Sequence, residues 1–264
     1  MFYRVDFRCD DRDPLQRQLD DLYGYRDDLE TRILHRLRLN LFFLLMRELI
    51  AARVVTQFGS ALDIGCNAGA YSKILSDFGF RSVEGIDIDA GQIAKADAAF
   101  GVESDERTIE FRVANAEELD RAGQFDFVLC TEVIEHTARP PRVVENLAAA
   151  LAPGGIAVVT MPNAFSLPYA IARASYHLRG KPRDPVFEDH LKYPFWQALR
   201  LFEGRGLEVV STTGTNLCFD ARLIGALART PLLPALSRAQ FALARRWPLK
   251  YAAMFFCMVL RHRD

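Results

Sequence analysis

The sequence predicts an α/β fold, a mostly parallel sheet with helices on both faces and helical additions. Three observations predict it. From Ser60 onward, short apolar runs alternate with helix-patterned stretches, the signature of βαβ units. The first run, Ser60 to Ile64, stops abruptly at a small-residue turn, Gly65-Cys-Asn-Ala-Gly69, and a helix pattern follows from Tyr71. The chain has 264 residues, 50% of them hydrophobic, enough for one large domain with an appended cap.

The elements follow in order. Residues 1–24 read as irregular, with a turn at Asp10-Asp-Arg-Asp-Pro14 and a short helix after it. Tyr25 to Gln57 contains no Pro or Gly and spaces Leu29, Ile33, Leu37, Leu41 and Leu44 as one helix or two in tandem. Residues 1–57 are thus expected to form a helical N-terminal cap, and 58–264 the main domain. Strands are expected at 60–64, 82–86, 109–113, 125–130 and 155–161, and helices at 71–78, 91–100, 116–119 and 143–151. Right-handed crossovers put the first turn at the carboxyl edge of the sheet, where ligands bind. Residues 164–193 form a long connection with a helix over 165–178 and a basic turn, Arg179-Gly-Lys-Pro-Arg183. Its length marks it as a lid. A helix over 193–205, a strand over 207–212 and a last strand over 253–260 complete the pattern. Pro231, Pro234 and Pro248 break the insertion 217–248 into short helices.

Bulk properties exclude several classes. A net charge of −1 provides no global field for nucleic acid. The five cysteines (Cys9, Cys66, Cys130, Cys218, Cys257) are scattered and form no C-x-x-C pair, so neither a zinc site nor a disulfide framework is expected. Reduced thiols suit a cytoplasmic protein. Residues 1–12 lack an apolar signal core, and the apolar run Leu41 to Met46 is far short of the roughly 20 residues that span a bilayer.

The turn after the first strand carries the chemistry. It brings backbone N–H groups and a helix N-terminus toward a ligand. The second strand ends in Gly85-Ile-Asp-Ile-Asp89, and an acid there, Asp87, suits a ribose diol. A nucleoside-containing cofactor is therefore expected. Asp89, just before the next helix, has the chemistry of its N-cap. Asn67 tolerates left-handed backbone, so it preserves the turn where glycine is commoner. A dinucleotide pyrophosphate needs G-x-G-x-x-G; here no third glycine opens the helix, which argues against a nicotinamide dehydrogenase.

Five motifs in order resemble class I S-adenosylmethionine-dependent methyltransferases, in the group of ubiquinone-type and other small-molecule enzymes. They are Leu62-Asp-Ile-Gly-Cys-Asn-Ala-Gly69, Gly85-Ile-Asp87, Asn115-Ala-Glu-Glu-Leu119, Phe125-Asp-Phe-Val-Leu-Cys-Thr-Glu-Val-Ile-Glu-His136 and Leu151-Ala-Pro-Gly-Gly155. The match spans roughly residues 58–163. The resemblance implies a Rossmann-like, seven-stranded sheet whose last strand is antiparallel and inserted beside the sixth. It implies S-adenosylmethionine as cofactor. Asp63, Gly65, Cys66, Asn67 and Gly69 would serve its methionine arm, Asp87 its ribose, and Ile88, Asn115 and Ala116 its adenine, with Thr131 lining the same site.

Methyl transfer from a sulfonium is an in-line displacement, so the protein supplies orientation and water exclusion, and a hydroxyl acceptor also needs a base. The candidates are Glu132 and His136 after the fourth strand, with Glu132 sharing a helical face with Glu135 or His136, and His190 in the lid. No metal is assigned. Tyr25, Phe42, Phe43, Phe165, Tyr169, Tyr176, Phe187 and Phe195 are candidate acceptor walls. Arg173, Arg179, Lys181 and Arg183 are candidates for an acidic group on the acceptor. The expected reaction is methylation of a small-molecule acceptor, at a hydroxyl oxygen. The alternatives are N- or C-methylation of a secondary metabolite, methylation of a glycan or lipid-linked sugar, and a non-catalytic S-adenosylmethionine-binding module. The apolar, basic stretch 223–249 suits a membrane surface and a lipid-linked substrate, or else packing within the domain or in a homodimer.

Overall fold

The computed structural model describes residues 14–25, 27–180, 193–215 and 230–263, together with residues 217 and 227. The candidates His190, Lys181, Arg183 and Phe187, and the side chain of Tyr176, lie outside the described residues.

Two helices, α1 (Pro14–Leu22) and α2 (Leu29–Ala51), precede the sheet. Then β1 (Ser60–Ile64), α3 (Ala70–Phe78), β2 (Ser82–Asp87) and α4 (Ala90–Phe100) alternate as expected. They are followed by β3 (Val102–Glu103), β4 (Thr108–Val113), β5 (Phe125–Thr131), α5 (Pro140–Ala150) and β6 (Leu151–Pro162). The later elements are α6 (Leu167–Leu178), α7 (Phe195–Glu203), β7 (Leu207–Thr215), α8 (Leu232–Ala244) and β8 (Phe255–His262). The sheet order is β3-β4-β2-β1-β5-β6-β8-β7. β8 runs antiparallel to both β6 and β7, between them, as the resemblance implied.

The sheet has eight strands, not seven. The extra one, β3, pairs antiparallel with β4 through Val102↔Ile109 and Glu103↔Thr108. Both its residues are exposed, so no apolar alternation announces it. Among the boundaries that differ, three have a local reason. α5 begins at Pro140, because Pro is tolerated in a first turn whose N–H groups have no helical partner. α6 begins at Leu167, since the Ser166 hydroxyl accepts the Tyr169 N–H as its cap. The expected helix over 116–119 is a single 3₁₀ turn, Ala116–Glu118.

Alternation along the central strand sorts the core into two layers. Phe127 and Leu129 of β5 face a cluster with Phe42, Phe43 and Met46 of α2, Leu75 of α3 and Ile93 of α4. Val128 and Cys130 face the opposite cluster, with Val144 and Leu147 of α5 and Phe202 of α7. α2 therefore packs on the sheet beside α3 and α4. Leu233 of α8 meets Ile33 and Leu37 of α2, joining distant parts of the chain above the carboxyl edge. Among the described residues, no helix is long and apolar enough to cross a membrane.

Candidate active site

The turn after β1 is stitched onto β2: the Gly65 and Cys66 N–H groups both donate to the Ile86 carbonyl, at 2.8 and 2.9 Å. Gly65, Asn67 and Gly69 all have left-handed backbone (φ 73°, 47° and 84°), which confirms the expectation for Asn67. A Cβ at Gly65 would meet Val133 Cγ2 at 2.2 Å, so glycine there is a packing requirement as well as a conformational one. Asp87 stabilises the turn from below. Its Oδ2 accepts the Asn67 N–H and its Oδ1 the Asp89 N–H, both at 2.9 Å. Asp89 caps α4 as expected, accepting from Gly91 and Gln92.

Asp63 is fully buried beneath this turn. Its Oδ2 accepts the Ser72 hydroxyl at 2.6 Å, while Oδ1 has no hydrogen-bond partner. Burial pushes its carboxyl up to about 7; the Asp87 charge adds to the rise and the Ser72 bond opposes it. An unpaired buried acceptor is costly, and a cationic donor from a ligand would relieve it. The site therefore fits the methionine arm of S-adenosylmethionine, whose ammonium group is such a donor.

A cleft of about 740 Å³ opens over the turn. Its lining includes Gly65, Cys66, Asn67, Asp87, Ile88, Asn115 and Ala116, and also Thr131, Glu132, Val133 and His136. The structure thus brings together most of the residues expected to serve the cofactor. Two do not line the cleft. Asp63 lies below it, and Gly69 is pressed against Phe111, whose ring a Cβ would meet at 2.7 Å. Asn115 reaches the cleft, but its Oδ1 accepts the Glu117 N–H at 3.0 Å and its Nδ2 donates to Glu118 at 3.3 Å. Its side chain caps the 3₁₀ turn; this self-bonding is common for Asn in loops.

Glu132 does not share a helical face with Glu135 or His136. It has left-handed backbone (φ 55°) ahead of a short 3₁₀ turn, Ile134–His136. Its carboxylate instead makes an ion pair with Arg38 of α2, whose guanidinium lies 5.0 Å over the Phe255 ring. His136 is exposed at the cleft, and Glu135 is buried. Left-handed backbone at a residue with a Cβ is uncommon and is retained where the surroundings impose it.

Other lining residues come from the N-terminal segment, α3, α6 and β8, and only Tyr25 and Tyr169 among them are candidate acceptor walls in the sequence. Tyr23, His35, Arg38, Tyr71 and Phe255 join them. The Tyr23 hydroxyl accepts the Ala70 N–H at 3.2 Å, closing the N-terminus of α3. The His35 ring packs on Tyr23 and Tyr25, with centroids 4.2 and 5.3 Å apart. Burial, reinforced by Arg38 and Arg36, lowers the imidazole to about 3, so it is neutral. Its Nδ1 has no partner. Apolar spacing in α2 identified a buried stripe but gave no reason to select the polar members beside it.

The other proposed acceptor walls divide. Phe42 sets its ring edge-on to Tyr71 at 5.1 Å, whereas Phe43 packs against Phe78 in the core. Phe195 packs between Tyr251 and Phe256. Phe165 stacks on Trp196 at the surface. Arg173 donates to the Ala164 carbonyl at 2.8 Å, and Arg179 is exposed. Among the described residues, no three His, Cys, Asp or Glu side chains are grouped to hold a metal ion.

Comparison with known proteins agrees with this arrangement. A family model described as a methyltransferase domain matches residues 33–212. The ubiquinone biosynthesis O-methyltransferase of Bordetella avium is 36% identical over 137 residues, covering 50% of this chain and 56% of that protein. Its counterpart in a Bradyrhizobium species is 38% identical over 126 residues, covering 46% and 48%. The chain thus spans about half the length of the curated relatives it matches. Among solved structures, magnesium protoporphyrin IX methyltransferase from Synechocystis, with bound S-adenosylhomocysteine, superposes with a TM-score of 0.63 at 14% identity. The superposition covers 96% of this chain and 98% of that one, a likeness of fold. With the matched model, the glycine turn and Asp87 in agreement, this chain belongs to the methyltransferase-domain family, as a class I S-adenosylmethionine-dependent methyltransferase.

Proposed function

We propose that the chain methylates a hydroxyl oxygen of a small-molecule acceptor, with S-adenosylmethionine as donor, by in-line displacement. One observation carries the reading. A single cleft connects the Gly65–Asn67 turn and Asp87 with Glu132 and Arg38 at the carboxyl edge of the sheet. The naming of the matched relatives as O-methyltransferases supports oxygen as the acceptor atom.

The bound donor supplies a methyl group on a positively charged sulfur, already activated for displacement. The chain's residues bind and orient. Asp63 offers its unpaired oxygen toward the ammonium group, directly or through water. Asp87 keeps lone pairs beyond the two N–H bonds it accepts, available to ribose hydroxyls. Ile88, 73% exposed in the cleft, covers the adenine face, and the Ala116 N–H serves the ring edge. Tyr23, Tyr25 and Tyr169 exclude water from the far wall. Glu132 receives the proton of the acceptor hydroxyl, and Arg38 aims its carboxylate. His136 lines the same cleft.

Calorimetry with S-adenosylhomocysteine tests the donor. Formation of S-adenosylhomocysteine from S-adenosylmethionine over a panel of phenols, catechols, amines and carbon acids tests the acceptor atom. Turnover confined to the hydroxyl compounds is expected. Turnover confined to amines or carbon acids overturns oxygen transfer, and cofactor binding with no turnover on any class favours the non-catalytic module.

A further inference from the structure

A second, smaller cavity of about 50 Å³ adjoins the cleft. The two share Arg38, Tyr71, Thr131 and Glu132, so the Arg38–Glu132 ion pair stands at their junction. Beyond the pair the walls are mostly apolar, with Leu41, Phe42 and Leu45 from α2, Val158 from β6, Phe241 from α8 and Cys257 from β8, and with Thr160 of β6 and Thr213 and Thr215 of β7 beside them. Val158 and Cys257 are fully buried, and burial pushes the Cys257 thiol up to about 12, so it stays a neutral, inert wall. Arg245 borders the cavity, and its guanidinium is engaged by Glu48 in a two-point pair.

One feature of this chamber asks for a ligand. The Thr160 hydroxyl lines it and is buried, and it has no hydrogen-bond partner. Thr160 sits in register with Thr131 of β5 and Cys257 of β8, at the carboxyl edge of β6. Nearly all buried polar side chains find partners, and one left without is either costly or waiting for a bound group.

The geometry points to this chamber as the acceptor subsite: it takes a slender, mostly apolar substituent, while the acceptor's hydroxyl remains at Glu132. The assignment rests on the methyl-transfer reading above and adds the class of acceptor. Three properties support it. The chamber is reached past the residue proposed to receive the proton, so a substrate filling it presents its hydroxyl there. Its walls reward burial of alkyl carbon, about 0.8 kcal/mol per methylene, or roughly fourfold each in affinity. Among its threonines, the Thr160 hydroxyl is the buried one left without a partner, and Glu132 and Arg38 neutralise each other at the entrance. A strongly charged or bulky branched group would not be accommodated there.

Two probes separate the subsite from the reaction. Ethylbenzene has no hydroxyl and cannot be methylated at oxygen; ligand-detected NMR on the purified protein should show it binding, and Leu45→Trp should abolish the signal. If Leu45→Trp does not fold, Thr213→Phe on the β7 side serves the same purpose. No ethylbenzene binding by the wild-type protein, or binding unchanged in a folded filled variant, overturns the assignment. The second probe compares KM for catechol and 4-ethylcatechol with S-adenosylmethionine as donor. About a tenfold lower KM for the ethyl compound is expected, falling below twofold in the filled variant; equal KM values in the wild-type protein overturn the assignment. Ethylbenzene binding lost on filling, with turnover confined to amines or carbon acids, sinks the hydroxyl-transfer reading and leaves the apolar chamber standing.

Discussion

The two walls of the cleft are built by different means. The wall proposed to face the cofactor is made largely of backbone: a turn with three left-handed residues, N–H groups tied to Ile86, and one carboxylate holding two further N–H groups. These pieces come from residues 65–89, and Asn115 and Ala116 extend the wall. The opposite wall is made of side chains gathered from α2, the loop after β5, α6 and β8; Arg38 and Glu132 alone are 94 positions apart. A backbone site must be written locally, because left-handed φ and close approach restrict residue type at each position. A side-chain site carries no such restriction. The donor end of the cleft is therefore standardised, and the acceptor end is free to vary.

The comparison is broken most sharply at Glu132. Glu132→Gln should lower kcat by about 10²–10³ while S-adenosylhomocysteine affinity stays within threefold by calorimetry. Equal losses in both would mean that the far wall serves the donor as well. Asp87→Ala should do the reverse on the other wall. Loss of two N–H bonds and of the ribose contacts should weaken S-adenosylhomocysteine binding about a hundredfold. Preserved affinity would remove Asp87 from the donor site.

A third, smaller effect concerns charge under the turn. The folded-state pKa of Asp63 is raised to about 7 from an unfolded value near 4. The folded protein thus holds more protons than the unfolded chain between those values, and Asp63's contribution to stability falls as pH rises from about 4 to 7. Binding of a cationic group favours the ionised carboxyl, so S-adenosylhomocysteine affinity should rise several-fold between pH 6 and 8. Asp63→Asn should flatten that rise; an unaltered slope in the variant would show that Asp63 does not meet the ammonium group.

The smallest effect is on the far wall. His35 is depressed to about 3 from an ordinary value near 6.5, so its contribution to stability is complete above 6.5 and is lost as pH falls below it. His35→Phe should lessen the acid sensitivity of the thermal transition by a few degrees between pH 6.5 and 5. An identical pH profile in the two proteins would contradict the buried, neutral imidazole.

Much of the fold was legible, because strands buried on both faces read as apolar runs and the turn after Ile64 is marked by its glycines. β3 was not, since two exposed edge residues bear no pattern. Within the site, Asp87, Asn67 and Asp89 were readable because each performs a local backbone task. Asn115, expected beside the adenine, lines the cleft, and its side chain also serves its own loop. Arg38, Tyr23 and His35 looked like ordinary members of helical segments.

The sequence by itself determined the order of strands and helices, the left-handed turn at Gly65–Gly69 and the carboxylate behind it, and through them the methyl donor. These depend on residues close together in the chain, where conformational preference acts. Tertiary structure alone decided that Glu132 meets Arg38, that an aromatic wall closes over the turn, and that an apolar chamber lies beyond the pair. Those depend on where α2, β8 and α8 come to rest above the sheet, and packing between distant segments sets that position without restricting any single residue enough to be read.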